Sequence, residues 1–172
     1  MLAVVQAAAV CVLIRERWVS AGLRRTWARL QAHWVDEESS LLVESAMPLR
    51  LHPELEWAQI DEVQVGVIVF SPPPEAVGKL GHALRSALRG YENAFRLDDY
   101  RLLVALWNVD EAGLANAVER LGEALLATGL DELEVGSAMF PVDGEDTFTL
   151  IECAIERSWW MLAGGAPASQ AA

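Results

Sequence analysis

The stretch AFRLDDYRLLVALW, residues 94–107, decides the reading of the fold. Two apolar runs, Ala94–Leu97 and Arg101–Trp107, flank the polar triplet Asp98-Asp99-Tyr100. Apolar runs on either side of turn-forming residues predict a β-hairpin. Aspartates suit its tip, because their side chains accept from backbone amides two residues on. Asp98-Asp99 reads either as a solvated turn or as a metal-binding pair, and the turn is the commoner meaning.

The neighbouring segments extend this hairpin into a domain. Upstream, VQVGVIVF, with its core at Gln64–Phe70, is β-branched and apolar, as a central strand should be. Ser71-Pro72-Pro73-Pro74 ends it, and Pro74 suits the first turn of a helix running to Arg89-Gly90. Val77, Leu80, Ala83 or Leu84, Ala87 and Leu88 give that helix an apolar face, and Gly78 and Gly81 read as points of close packing. Downstream, Asp110 caps a helix over Glu111–Thr128 that Gly129 stops. Leu133–Phe140 is a further strand. Asp143-Gly144 then turns the chain into a last helix, from Asp146 or Thr147 through Leu162. Trp159 and Trp160, adjacent on that helix, would point apart. The order β-α-β-β-α-β-α predicts an α+β fold, one mainly antiparallel sheet backed by helices on one face and preceded by a long N-terminal helix.

Residues 62–163 thus form the body. Residues 35–61 are expected to be a connector, because Pro48 and Pro53 argue against a continuous helix. Leu49, Leu51 and Leu55 are expected in a short extended segment lying on the body. The last stretch, GGAPASQAA, residues 164–172, is expected to be a disordered tail.

Residues 1–34 differ from the rest. Residues 1–14 are apolar except for Gln6, and arginines follow at once. Fourteen residues fall short of the roughly 20 that span a bilayer as a helix. A partial membrane anchor, a helix buried on a partner or a second copy, and a core helix all remain open. The positive-inside rule puts the arginines at the cytoplasmic face of a membrane, or the chain is cytoplasmic in a complex. Leu23, Trp27, Leu30 and Trp34 follow at spacings of 4, 3 and 4, a short seam suited to contact with a protein partner, a second copy or a membrane interface.

Charge narrows the function classes. The chain of 172 residues carries a net charge of -12, with +4 on residues 1–34 and therefore -16 on the remainder. An acidic body with a single lysine, Lys79, is repelled by nucleic-acid phosphates, so no nucleic-acid partner is expected. His33, His52 and His82 stand apart, and Cys11 and Cys153 have no ligand spacing, so no metal or other cofactor is expected. No nucleophile motif or phosphate-cradling loop is present in the sequence.

The body resembles the GGDEF domain, the diguanylate cyclase fold, over about residues 62–163. The likeness rests on a Gly-x-Ala strand end at Gly136 and Ala138, and a Pro-x-Asp-Gly turn at Pro141, Asp143 and Gly144. It continues in the helix carrying Leu150, Ile151 and Ala154. Arg96 matches the arginine before the family signature, and Leu102, Val104 and Leu106 match the apolar strand after it. The resemblance places Asp98, Asp99, Tyr100, Arg101 and Leu102 at the five signature positions. Active relatives hold two glycines there, so that the backbone can approach the nucleotide, followed by acids that serve metal and catalysis. Phe70 and Ser71 stand where they carry a metal-binding aspartate, and the place of their phosphate-binding lysine falls near Leu162. The resemblance therefore implies a degenerate domain without catalytic residues, acting as a regulatory or scaffolding module and not as an enzyme. It also implies an alternative, a receptor for cyclic di-GMP. The family's inhibition site is an Arg-x-x-Asp just before the signature, and Arg89-Gly90-Tyr91-Glu92 holds that offset. There Arg89 could grip guanine or phosphate, Glu92 accept from a guanine edge, Tyr91 stack, and Arg85 assist.

Overall fold

The computed structural model describes residues 34–90 and 92–163. The chain divides into two units, Met1–Val35 and Asp36–Ala172, and the architecture below is that of the second. Leu23, Trp27 and Leu30 of the N-terminal segment, Tyr91 and the C-terminal tail lie outside the described residues, whereas Trp34 sits half-buried in a turn.

Strands β1 (Leu42–Val43), β2 (Val65–Ser71), β3 (Asn93–Arg96), β4 (Leu102–Trp107), β5 (Glu132–Phe140) and β6 (Trp159–Leu162) form one sheet. Its order is β1-β3-β4-β2-β5-β6. Strands β1 and β3 are parallel, and the other pairs are antiparallel. Helices α1 (Met47–Asp61), α2 (Val77–Ala87), α3 (Glu111–Leu126) and α4 (Thr147–Glu156) cover it. This is the α+β architecture that the sequence predicts.

The apolar run of β2 is buried from Val65 to Phe70, because the strand lies inside the sheet with a helix layer on each side. Side chains alternate across a strand, so the register identifies the two layers. Gly66 pairs with Met139, and a Cβ on Gly66 would strike Leu114 of α3. Val69 pairs with Gly136, and a Cβ on Gly136 would strike the Ala154 carbonyl of α4. Helices α2 and α3 thus pack on the Ile68 and Phe70 side, while α4 packs on the Val67 and Val69 side with α1 beside it. The expectation of helices on one face is corrected to both.

Helix α1 is the second correction. The stretch read as a connector supplies β1 and a helix of 15 residues. Pro48 falls in the first turn, where no amide is needed. Pro53, inside the helix, forfeits its bond to the Leu49 carbonyl and costs roughly 3 kcal/mol. Burying Leu51 and Leu55 returns about 1.5–3 kcal/mol each, so the helix holds. Leu49 is not on an extended segment lying on the body; it is exposed on this helix.

The third correction concerns the end of the body. Helix α4 stops at Glu156, and residues 159–162 form the edge strand β6, paired with β5. Trp159 and Met161 pack against the core while Trp160 and Leu162 stay largely exposed, the alternation of a strand. Both N-caps are as expected: Asp110 accepts from the Gly113 amide, and Asp146 from those of Phe148 and Thr149. Gly78 and Gly81 are indeed close contacts, α2 resting there on Glu38 and Ser39. Among the described residues, no helix is long and apolar enough to cross a membrane.

Candidate functional site

The hairpin β3–β4 carries the five signature positions at its tip. The Leu97 amide donates to the Arg101 carbonyl at 3.0 Å, which leaves Asp98, Asp99 and Tyr100 as the loop. Neither aspartate has a positive φ, so the loop does not use backbone freedom that only glycine offers. The Asp98 carboxylate is fully engaged. One oxygen accepts from the Tyr100 amide at 3.0 Å, and the other from Arg101 Nε at 2.6 Å. The Arg101 guanidinium in turn lies 5.1 Å from the Tyr100 ring centroid. The hydrogen bond that Arg101 donates to Asp98 holds the Arg101 pKa above its ordinary value, against the pull of burial. Asp99 is 93% exposed, with Arg96 Nη2 at 3.5 Å.

Arg96 anchors this tip to a turn that the sequence reading passed over. Its Nη1 donates to Glu38 at 2.6 Å and to Asp36 at 3.0 Å, and its Nε donates to the Asp98 carbonyl at 3.1 Å. Residues 36–41 form a compact loop because Asp36 accepts from both the amide and the hydroxyl of Ser39, each at 2.7 Å. Burial works against the Asp36 carboxylate, but the bonds from Ser39 and then Arg96 outweigh it and hold its pKa below the ordinary value. Arg85 Nη1 donates to the Ser40 carbonyl at 2.9 Å, so this side chain serves the same loop and not Glu92. The tip region gathers Arg96 and Arg101 against Asp36, Glu38, Asp98 and Asp99, a local excess of negative charge. Phe70, at the end of the neighbouring strand, is fully buried, and Leu162 lies in β6. Among the described residues, no three His, Cys, Asp or Glu converge as metal ligands would.

Arg89 and Glu92 are brought together, in a different way from the sequence reading. The Arg89 amide donates to Glu92 Oε2 at 2.7 Å, and the Glu92 amide donates to the Arg89 carbonyl at 3.0 Å. Glu92 Oε1 pairs with Arg120 Nη2 at 2.6 Å, and the Glu92 side chain is only 3% exposed. Arg120 Nη1 also donates to the Ala87 carbonyl at 2.7 Å, closing the end of α2. Both Glu92 oxygens are thus committed within the protein. An open cleft of about 1010 Å³ lies alongside, lined by Arg89, Glu92, Trp107, Asn108, Asn116 and Arg120 among others. Arg120 was not foreseen; it lies 28 residues from Glu92, and no local pattern links the two.

No protein-family model matches the chain, and no curated protein matches its sequence. Solved structures do match. A diguanylate cyclase protein from Thermotoga maritima superposes with a TM-score of 0.61 at 16% identity, over 71% of this chain and 98% of that one. The diguanylate cyclase SiaD of Pseudomonas aeruginosa, solved in complex with its activator SiaC, superposes with a TM-score of 0.73 at 16% identity, over 89% and 67%. The S helix-GGDEF-EAL portion of Vibrio cholerae LapD, bound to c-di-GMP, gives 0.62 at 13% identity, over 80% of this chain and 36% of that one. The body built from the hairpin Asn93–Trp107 and its flanking strands therefore has the fold of a GGDEF domain.

Proposed function

We propose that this chain is a non-catalytic GGDEF-like module of cyclic di-GMP signalling. It regulates or scaffolds by docking on a protein partner, or at the cytoplasmic face of a membrane, through residues 1–34. The observation that carries the reading is the tip of the β3–β4 hairpin. Its charges are spent on one another, with Asp98 on Arg101 and Arg96 on Asp36 and Glu38, and acids outnumber cations there. Two-metal phosphoryl transfer needs free carboxylates for the ions and free cations for the phosphates. A triphosphate approaching Asp98 and Asp99 meets like charge instead. The SiaD complex, in which this fold assembles with an activator protein, supports a role exercised through a partner. The test is incubation of the full chain with GTP and magnesium or manganese. No cyclic di-GMP and no GTP loss above a protein-free blank is expected, and turnover that Asp99→Ala abolishes would refute the reading.

A second reading, cyclic di-GMP binding, is favoured by the cleft that Arg89 and Arg120 line. Guanidinium groups recognise phosphate and guanine bidentately. Because Glu92 and Arg120 are committed to each other, and Arg120 also to the Ala87 carbonyl, that binding would rest on Arg89. Calorimetry with the dinucleotide, repeated on Arg89→Ala, decides it: heat that the substitution removes supports binding, and no heat at micromolar concentrations rejects it.

A further inference from the structure

We propose that the outward face of α1 is a self-association surface, on which α1 of a second copy packs antiparallel. Helix α1 is apolar on two opposite sides. Leu51, Leu55 and Ala58 face the body and are buried. Leu49, Pro53, Trp57 and Ile60 recur at spacings of 4, 4 and 3 on the other side, with Leu49 58%, Trp57 59% and Ile60 68% exposed. Such spacing places side chains along one helix face. A helix apolar on both sides calls for a second cover.

Charge selects the cover. Arg50 stands near the start of the helix and Asp61 at its end, both exposed and on the same flank of the apolar stripe. In an antiparallel pair centred near residue 55, Leu49 of each copy opposes Ile60 of the other. Arg50 then opposes Asp61, and two-fold symmetry makes that ion pair twice. A parallel pair would put the two Arg50 side chains on opposite edges of the seam, and the two Asp61 likewise, so neither ion pair forms. Antiparallel packing also aligns the helix dipoles favourably. An anionic membrane is disfavoured as the cover, because Glu56, Asp61 and Glu62 edge the stripe. One helix face is small beside the roughly 800 Å² per partner of a standard interface, so the pairing belongs to the weak, concentration-dependent class.

Cysteine pairing in the full chain, on a Cys11→Ser, Cys153→Ser background, tests the register. Disulfides need Cα atoms within about 7 Å. In the antiparallel register two copies of residue 49, or two of residue 60, lie about 16 Å apart along the helix. Mild oxidation of a mixture of Leu49→Cys and Ile60→Cys chains is expected to give a covalent heterodimer, and neither chain alone gives more than background. Crosslinking of Leu49→Cys alone to the same extent, or none in the mixture, overturns the proposal; the latter leaves the stripe to a different partner. Sedimentation gives an independent check at the flank. Arg50→Glu and Asp61→Arg are each expected to weaken association about fivefold, and the double swap to restore it. Failure of the double swap to restore association also overturns the antiparallel pairing.

Discussion

At the scale of single residues, Glu92 shows how a candidate ligand group becomes a structural one. Its carboxylate joins the end of α2, through the Arg89 amide, to Arg120 on α3. Removing it strands a guanidinium that is 30% exposed and an amide at a helix end. Full burial of such a broken pair costs roughly 3–5 kcal/mol, and partial exposure lowers that to about 2 kcal/mol. Glu92→Ala is expected to lower the unfolding free energy by that amount in urea titration, and a change below 0.5 kcal/mol would contradict this assignment. Asp36 carries a pH dependence. Its folded pKa lies below the ordinary value, so its contribution to stability is fully present above about pH 4 and fades as pH falls through the folded pKa. Asp36→Asn is therefore expected to cost about 1 kcal/mol at pH 7, and the gap to the parent protein should close in acid. A gap that stays constant down to pH 2.5 would show that the carboxylate charge is not the cause. That Arg89 and Glu92 lie close together was legible because only three residues separate them, but the use of Glu92 by the Arg89 amide and by Arg120 was not. Asp36 and Glu38 lie 60 and 58 residues from Arg96, and only the fold brings them to it.

At the scale of elements, what could be read depended on whether local signals agreed with tertiary ones. Strand β2, the β3–β4 hairpin and the caps at Asp110 and Asp146 were legible, because apolar runs, turn residues and capping residues all point one way. Helix α1 was hidden by Pro53, whose cost is local while the burial of Leu51 and Leu55 is not. Strand β6 was hidden because SWWML continues an apolar run straight out of α4, and four residues cannot distinguish a period of 2 from one of 3.6. The packing of α4 on the sheet gives a sharper test. Gly136 of β5 lies under the Ala154 carbonyl, and Ser158 Cα would stand 3.3 Å from an added Cβ. Backbone on both sides leaves nothing flexible to give way, so Gly136→Ala is expected to cost about 3 kcal/mol. Gly90, with open space around it and no positive φ, is the control, and Gly90→Ala should be neutral or slightly stabilising. Equal melting temperatures for the two variants would show that α4 does not press on β5 as described.

At the scale of the whole molecule, charge and compactness lead to one further expectation. Among the described residues, the buried core runs from Leu41, packed against the sheet, to the last strand, where Met161 packs on Gly122 of α3. Contacts divide the chain just before Asp36. Residues 1–34 carry +4 of the net -12, so the body without them stands at -16. A body that folds on its own core should survive removal of the arm as a cooperative unit. That unit would be more strained by self-repulsion than the full chain, and more responsive to salt. Raising NaCl from 10 mM to 1 M shortens the screening length from about 30 Å to about 3 Å. The fragment 36–172 is expected to unfold in one transition and to gain about 1 kcal/mol over that range, more than the full chain gains. Circular dichroism against urea at both salt concentrations makes the comparison. Loss of the cooperative transition on removing residues 1–35 would mean that the arm is part of the fold and not a docking element. A fragment whose stability ignores salt would mean that repulsion among its acidic groups does not limit its stability.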